Sequence, residues 1–462
     1  MIDISNKNNI DIANKSISVI GLGLSGYAAA ILAHFNGARV FTSDPGNNLE
    51  INMRADEMLY MGIGVETGMH SDRIYEADLF IVSPGVPKGA DIIIKAQENN
   101  IPVVGEIEFA SWFTKSPIIA VTGSNGKTTT VSILVEMCQS KNIRGSLSGN
   151  VGIPFSASVL EEIKYPDPKI IHILEISSFQ MEFIKHFHPN IAIYTNISPD
   201  HLDRHRTMDE YTTMKMMMIK NQTVNDFIVY NIDDPSLSMA LKNSPATMVP
   251  FSTVRSDMYF KIKTNSIYEN NGNPLIGLED IILPGNHNLS NILAASTAAQ
   301  LIGIPNNQII EIMKTFQGVE HRLEYVSEIN NVQYINDSKA TNIDAVIVAL
   351  DSFDKPLILI LGGRNKGTDF RLLLPHIKSS QVRLIISYGE SGGEIVNALG
   401  DAVRSVQVND LKCAITSAQS QAIPGDIVLL SPGCASYDQF KNYETRGIKF
   451  KTWVTELEKK ND

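Results

Sequence analysis

Residues 118–130 read Ile118-Ile119-Ala120-Val121-Thr122-Gly123-Ser124-Asn125-Gly126-Lys127-Thr128-Thr129-Thr130. An apolar run enters a turn with two glycines and leaves it through a lysine and three hydroxyls. Glycines let successive backbone N–H groups face one anion, a lysine adds a mobile cation, and a hydroxyl can reach Mg2+. The spacing is the short form G-x-x-G-K-T, with valine at position 121. A strand before and a helix after are what such a phosphate cradle requires, so the stretch predicts a strand–loop–helix unit that binds ATP or GTP. Gly123, Ser124, Asn125, Gly126, Lys127, Thr128 and Thr129 are its candidate ligands.

Around this unit, Ile170 to Leu174 and Ile191 to Tyr194 are continuous apolar runs, as expected of central parallel strands covered on both faces. Ligands of open parallel sheets bind beyond the carboxyl ends of the strands, so the polar residues that follow these runs are the ones to weigh. Glu175 follows the first run and His201 the second. A carboxylate at that height can hold Mg2+ beside the phosphate loop, and an imidazole is a less common ligand of the same ion. Lys215 shares a stripe with Tyr211, Met214 and Met218 on a helix predicted over Met208 to Asn221. The ordinary reading is a lysine covering a methionine-packed face. A desolvated amine can also add CO2 to give a carbamate, which turns a cation into a metal-binding anion. Asn288 and Asn291 open a predicted alanine-rich helix running to Ile302, as N-caps or as amides suited to an adenine edge.

Two further regions repeat the strand-then-helix rhythm. In the first, Gly21-Leu22-Gly23-Leu24-Ser25-Gly26 follows a strand and Asp44 follows the next, with Ser83-Pro84-Gly85 after a later one. Taken alone this pattern predicts a dinucleotide and a dehydrogenase, although a nucleotide sugar supplies the same pyrophosphate. In the last region, loops follow strands at Val332 to Ile335, Leu357 to Leu361 and Ile427 to Leu430. They carry Lys339 and Thr341, Lys366, and Ser436, a set suited to a small dicarboxylate.

With 462 residues and about 150 per domain, the chain predicts about three domains. Their boundaries are placed at 1–104, 105–318 and 319–462, with hinges about Gly105 and Gly318. An apolar share of 43% and a charged share of 19% are ordinary for a globular protein, and a net charge of -11 argues against nucleic acid as a partner. The cysteines Cys138, Cys413 and Cys434 are scattered, which points to neither a disulfide framework nor a metal site and to a cytoplasmic, reducing compartment. Met1 to Lys15 lacks an apolar leader segment, and no apolar run approaches the ~20 residues of a membrane span, so no membrane insertion is expected.

Together the 122–128 loop, Glu175-Ile176-Ser177-Ser178-Phe179-Gln180 and Gly285 to Asn291 resemble the Mur ligase family over nearly the whole chain. Asn336 to Asn342 and Ser431 to Gly447 resemble its D-glutamate-adding branch, with the other amino-acid-adding members as the close alternative. The resemblance implies an α/β fold of three domains: a Rossmann-like UDP-binding domain, a central parallel-sheet domain of P-loop ATPase type, and a Rossmann-like C-terminal domain. It implies UDP-N-acetylmuramoyl-L-alanine and D-glutamate as partners, ATP as co-substrate, two Mg2+ ions and a monomeric protein. Lys127 and Thr128 would hold phosphate and the first Mg2+ with Glu175, while His201 and a carbamylated Lys215 would serve the second. Asn288 and Asn291 would address adenine, and His321 and Arg322 the phosphates. Leu24, Ser25, Asp44, Ser83 and Gly85 would line the UDP side, and Asn150 the muramoyl-alanine end. Lys339, Thr341, Lys366 and Ser436 would bind D-glutamate, with Tyr443 standing where the family often has phenylalanine.

Overall fold

A computed structural model describes residues 2–461 apart from 201, 256, 264, 270–271 and 284. The chain divides into two compact units, one of Met1–Ile197, Asp209–Ile281 and Leu289–Thr315, the other of Ser198–Met208, Ile282–Asn288 and Phe316–Asp462.

The first unit holds two parallel sheets. One comprises β1 (Ser16–Ile20), β2 (Arg39–Asp44), β3 (Gly64–Thr67), β4 (Leu79–Val82) and β5 (Val103–Gly105) in the order β3-β2-β1-β4-β5. The other comprises β6 (Ile118–Thr122), β7 (Arg144–Gly149), β8 (Ile170–Glu175), β9 (Ile191–Tyr194), β10 (Phe227–Asn231) and β11 (Thr247–Phe251), in the order β11-β10-β9-β6-β8-β7. In each, successive connections leave in opposite directions from β1 or β6, and the glycine loops follow those two strands. Such a reversal opens a crevice at the strand ends, where ligands bind. A small antiparallel sheet of β12 (Lys261–Lys263), β13 (Ser266–Tyr268) and β14 (Pro274–Gly277) completes the unit. Its short polar strands gave no period long enough to be read from the sequence.

The second unit is built on β15 (Glu324–Ile329), β16 (Val332–Asn336), β17 (Leu357–Gly362), β18 (Val382–Tyr388), β19 (Ser405–Gln407) and β20 (Ile427–Leu430), ordered β15-β16-β20-β17-β18-β19. Alternate residues of one strand serve opposite faces. Leu357, Leu359 and Leu361 enter one apolar cluster, and Ile358 and Ile360 enter the other. Ile427 and Leu429 part from Val428 and Leu430 in the same way. This is why these strands read as unbroken apolar runs.

Two predicted helices end elsewhere. The helix expected over Met208 to Asn221 stops at Met216 and tightens into a 3-10 turn, Met217–Ile219. The alanine-rich helix begins at Asn286 and runs to Leu301, so Asn288 and Asn291 lie inside it and neither is its N-cap. Cys138, Cys413 and Cys434 are free thiols. Among the described residues, no helix is long and apolar enough to cross a membrane.

Candidate functional site

The phosphate loop is shaped by its backbone. Gly123 and Gly126 have φ of 151° and 83°, which side chains rarely adopt, and a Cβ at either would run into Thr195 Oγ1 or the Asn291 amide. The segment after β9 clamps the turn from outside. Asn125 N donates to Asn196 Oδ1 at 2.8 Å, Ser124 N donates to Asn196 O at 3.0 Å, and Thr195 Oγ1 donates to Asn125 O at 2.6 Å. Gly126 leads into the helix Lys127–Met137 without a side-chain cap, so its first N–H groups point toward the loop. Lys127 Nζ folds back onto Gly123 O and Ser124 O, each at 2.8 Å.

Thr128 and Glu175 meet here. Thr128 Oγ1 donates to Glu175 Oε2 at 2.6 Å, and Asn150 Nδ2 donates to Glu175 Oε1 at 2.8 Å. The register that pairs β6 with β8 and β8 with β7 sets Val121 and Gly149 beside Glu175, which brings these three side chains to one sheet edge. Asn150 therefore sits with the phosphate-loop residues, a link the sequence alone did not offer. Asn291 joins them, its Oδ1 accepting from Thr130 Oγ1 at 3.4 Å. Lys215 is 1% exposed; its Nζ donates to Gly123 O at 2.8 Å and stands 4.5 Å from the Tyr211 ring centroid. Lys215 does share the buried stripe, but it does not carry its head group out to water over the methionines; the ammonium turns inward, where the Gly123 carbonyl accepts from it. His201 lies outside the described residues. Among the described residues, no three His, Cys, Asp or Glu side chains gather as a metal cluster.

On the first sheet, Gly26 packs so closely on the Gly21 carbonyl that no side chain fits, and Ser83 Oγ donates to Gly21 O at 3.0 Å. The helix Leu24–Phe35 begins without a side-chain cap, with Leu24 exposed and Ser25 half-buried at its start. Gly85 lies in the turn after β4. Asp44 ends β2 beside this loop. Its Oδ2 accepts from Leu22 N at 2.6 Å and its Oδ1 from Gly46 N at 2.7 Å, so the carboxylate braces the loop itself.

In the second unit, the loops after β16, β20 and β17 are neighbours because those strands are adjacent. Ser431 Oγ donates to Asp337 Oδ2 at 2.8 Å, Gly433 N to Ala340 O at 2.9 Å, and Arg364 and Ala435 exchange backbone bonds of 2.8 and 3.0 Å. Lys339, Lys366 and Ser436 therefore stand on loops tied to one another. Thr341 precedes the Asn342 cap of the helix Ile343–Leu350. The fully buried Arg446 is the main tie: Nε donates to Ser338 Oγ at 3.0 Å, one Nη to Ser338 O at 2.7 Å and the other to Cys434 O at 3.1 Å. Asp337 is buried as well. Burial pushes its carboxyl up to about 7, against the charges of Arg322 and Arg446. Neither residue was singled out from the sequence; Asp337 could have been, as the acid just past an apolar run.

His321 has φ of 65°, and Gly447 leaves the space that its ring occupies. Asn336 Nδ2 donates to His321 Nδ1 at 3.0 Å, which puts the ring proton on Nε2. Burial lowers the His321 pKa, ahead of the opposing pull of Glu324. Arg322 faces His287, which burial and then that positive charge hold at about 4.

Comparison with known proteins matches residues 121–299 to the Mur ligase middle domain and residues 321–434 to the Mur ligase, glutamate ligase domain. The chain is 40% identical over 452 residues to the UDP-N-acetylmuramoylalanine--D-glutamate ligase of Christiangramia forsetii, covering 96% of this chain and 100% of that one. It is 39% identical to the enzyme of the same name from Bacillus cytotoxicus, over 95% of this chain and 97% of the relative. Similar solved structures include UDP-N-acetylmuramate-alanine ligase MurC of Thermotoga maritima, with TM-score 0.61, 18% identity and coverage of 96% and 100%. MurF ligase of the same organism, in complex with ADP, has TM-score 0.59, 16% identity and coverage of 99% and 96%.

Proposed function

The chain belongs to the Mur ligase family, and from that premise we propose that it joins D-glutamate to UDP-N-acetylmuramoyl-L-alanine, forming ADP and phosphate, in peptidoglycan precursor synthesis. The observation that carries this reading is 40% identity sustained over 96% of the chain to a D-glutamate ligase. A dinucleotide-dependent dehydrogenase, the rival suggested by the first glycine loop, gives way to it.

The terminal alanine carboxylate attacks the γ-phosphorus of ATP, the bond to the bridging oxygen breaks, and ADP leaves. The amine of D-glutamate then adds to the acyl-phosphate carbonyl. Collapse of the tetrahedral adduct expels phosphate, and the amine loses its proton to a base. The barrier is largely the meeting of anions, so the residues that matter present positive charge where negative charge gathers. Lys127 and the amides of Gly123 to Thr129 do this for the phosphates, and Asn150 orients the acceptor beside them. Asn288 and Asn291 address adenine, and His321 and Arg322 the phosphates.

Thr128 and Glu175 fit Mg2+, a hydroxyl and a carboxylate oxygen 2.6 Å apart being the hard donors the ion takes. Bound there, Mg2+ supplies charge neutralisation on the transferring phosphoryl group. A carbamate on Lys215, with His201, would hold a second ion; the support is an amine buried against the phosphate loop. Leu24, Ser25, Asp44, Ser83 and Gly85 serve the UDP end. Lys339, Thr341, Lys366 and Ser436 receive D-glutamate, with Tyr443 beside Lys339. The domain limits 1–104, 105–318 and 319–462 then divide UDP-sugar, ATP and amino acid among the three large sheets. The protein works as a monomer in the cytoplasm.

The test is phosphate release by the purified protein with ATP, Mg2+ and UDP-N-acetylmuramoyl-L-alanine. Release that depends on D-glutamate supports the reading; release driven by another amino acid and not by D-glutamate overturns it.

A further inference from the structure

Tyr443 opens the helix Tyr443–Asn461. Lys339 Nζ lies 3.2 Å from its phenol oxygen and 5.1 Å from its ring centroid. An ammonium has donors and no acceptor, so the phenol oxygen accepts from Lys339 while the ring also attracts the charge. Both backbones are fixed. Ser338 Oγ donates to Tyr443 O at 2.8 Å, Lys339 N donates to His321 O at 3.0 Å, and the buried Arg446 grips Ser338 from behind. A long flexible side chain thus starts from a rigid loop and is met at its charged end by a hydroxyl on an equally rigid helix start.

We infer that Tyr443 is a positioning residue whose hydroxyl stations the Lys339 ammonium for the carboxylate of the incoming amino acid. The inference rests on the reading of Lys339 as a D-glutamate residue, and it assigns the tyrosine's added oxygen a task that phenylalanine cannot perform. Ordering the lysine beforehand removes part of the entropy that capture of a carboxylate otherwise costs.

Tyr443→Phe separates the hydroxyl from the ring. In the full chain it raises the KM for D-glutamate by about fivefold, the size of one net hydrogen bond. Leaving kcat, the KM values for ATP and UDP-sugar, and the thermal midpoint in place distinguishes positioning from general loosening. Lys339→Met raises the D-glutamate KM further, and adding Tyr443→Phe to it has no additional effect. An unmoved D-glutamate KM in Tyr443→Phe, full additivity in the double variant, or parallel rises in all three KM values overturns the inference. If the unsubstituted protein shows no D-glutamate-dependent turnover, the functional reading falls first and this one with it. If the protein turns over normally and Tyr443→Phe changes nothing, only the positioning role fails.

Discussion

The glycine loop after β6 in the first unit and the tied loops after β16, β20 and β17 in the second gather polar groups at strand ends by different means. The first is one contiguous stretch, shaped by glycine φ angles and closed by bonds between its backbone and the side chains of Thr195 and Asn196. The second is assembled from loops after strands that are neighbours in the sheet but far apart in the chain, and it is stitched by the buried Arg446 and Asp337. A contiguous site is robust to changes elsewhere and sensitive to its own glycines. A stitched site depends on the side chains that tie it, even where they touch no substrate.

The largest effect expected from this difference is at Gly126. An alanine there meets both a left-handed φ of 83° and the Asn291 amide. Gly126→Ala should lower kcat by about 100-fold or more through misplaced phosphate donors, with UDP-sugar affinity, measured by calorimetry, unchanged. Equal loss of both would remove the claim that the loop acts on its own. Next in size, Arg446→Leu deprives two carbonyls and a hydroxyl of their donor and should cost the second unit about 3 kcal/mol. A urea midpoint that does not move would show that the loops hold together without the tie.

Each unit also carries one buried carboxyl pushed up to about 7 by burial, Glu106 in the first and Asp337 in the second. Glu106 accepts from Ser156 N through Oε1, while Oε2 has no hydrogen-bond partner among the described residues. A raised carboxyl keeps its proton in the folded chain after the unfolded chain has lost it. Stability is therefore whole below the ordinary values of 4.5 and 3.8, and it falls as pH rises from there through about 7. Glu106→Gln and Asp337→Asn should each flatten part of that fall in urea titrations run across the interval. An unchanged slope in both variants would mean that other groups set it. The smallest expected effect is at Asp44. Asp44→Asn removes the charge from two bonds to loop amides and should raise the UDP-sugar KM by about tenfold or less; a change in the ATP KM instead would place Asp44 in the wrong site.

How legible each region was follows from the same contrast. The phosphate loop, Glu175 and the buried strands could be read directly, because a strand–glycine–helix string and an apolar run each express a local rule. Lys215 was placed on its stripe by helical spacing alone. Asn150 and Asn196 escaped a local reading because what matters is the β7-β8-β6-β9 order, which brings their loops to the phosphate turn. Arg446 escaped because an arginine on a helix normally reads as a solvated face, and only the fold shows it to be fully buried. The start of the alanine-rich helix was misjudged by two residues because asparagines suit caps and first turns alike. The short strands β12 to β14 offered too little sequence to show a period.

In the proposed reaction, carboxyl activation belongs to the phosphate-loop region and amine delivery to the stitched loops. Single-turnover ADP formation by the Lys339→Met protein, with UDP-N-acetylmuramoyl-L-alanine, ATP and Mg2+ but no amino acid, tests it most directly. The expected result is ADP and a borohydride-reducible acyl phosphate at the rate of the unsubstituted protein, with amide formation impaired once D-glutamate is added. Loss of ADP formation in that variant, at full folding and intact ATP affinity, would contradict it.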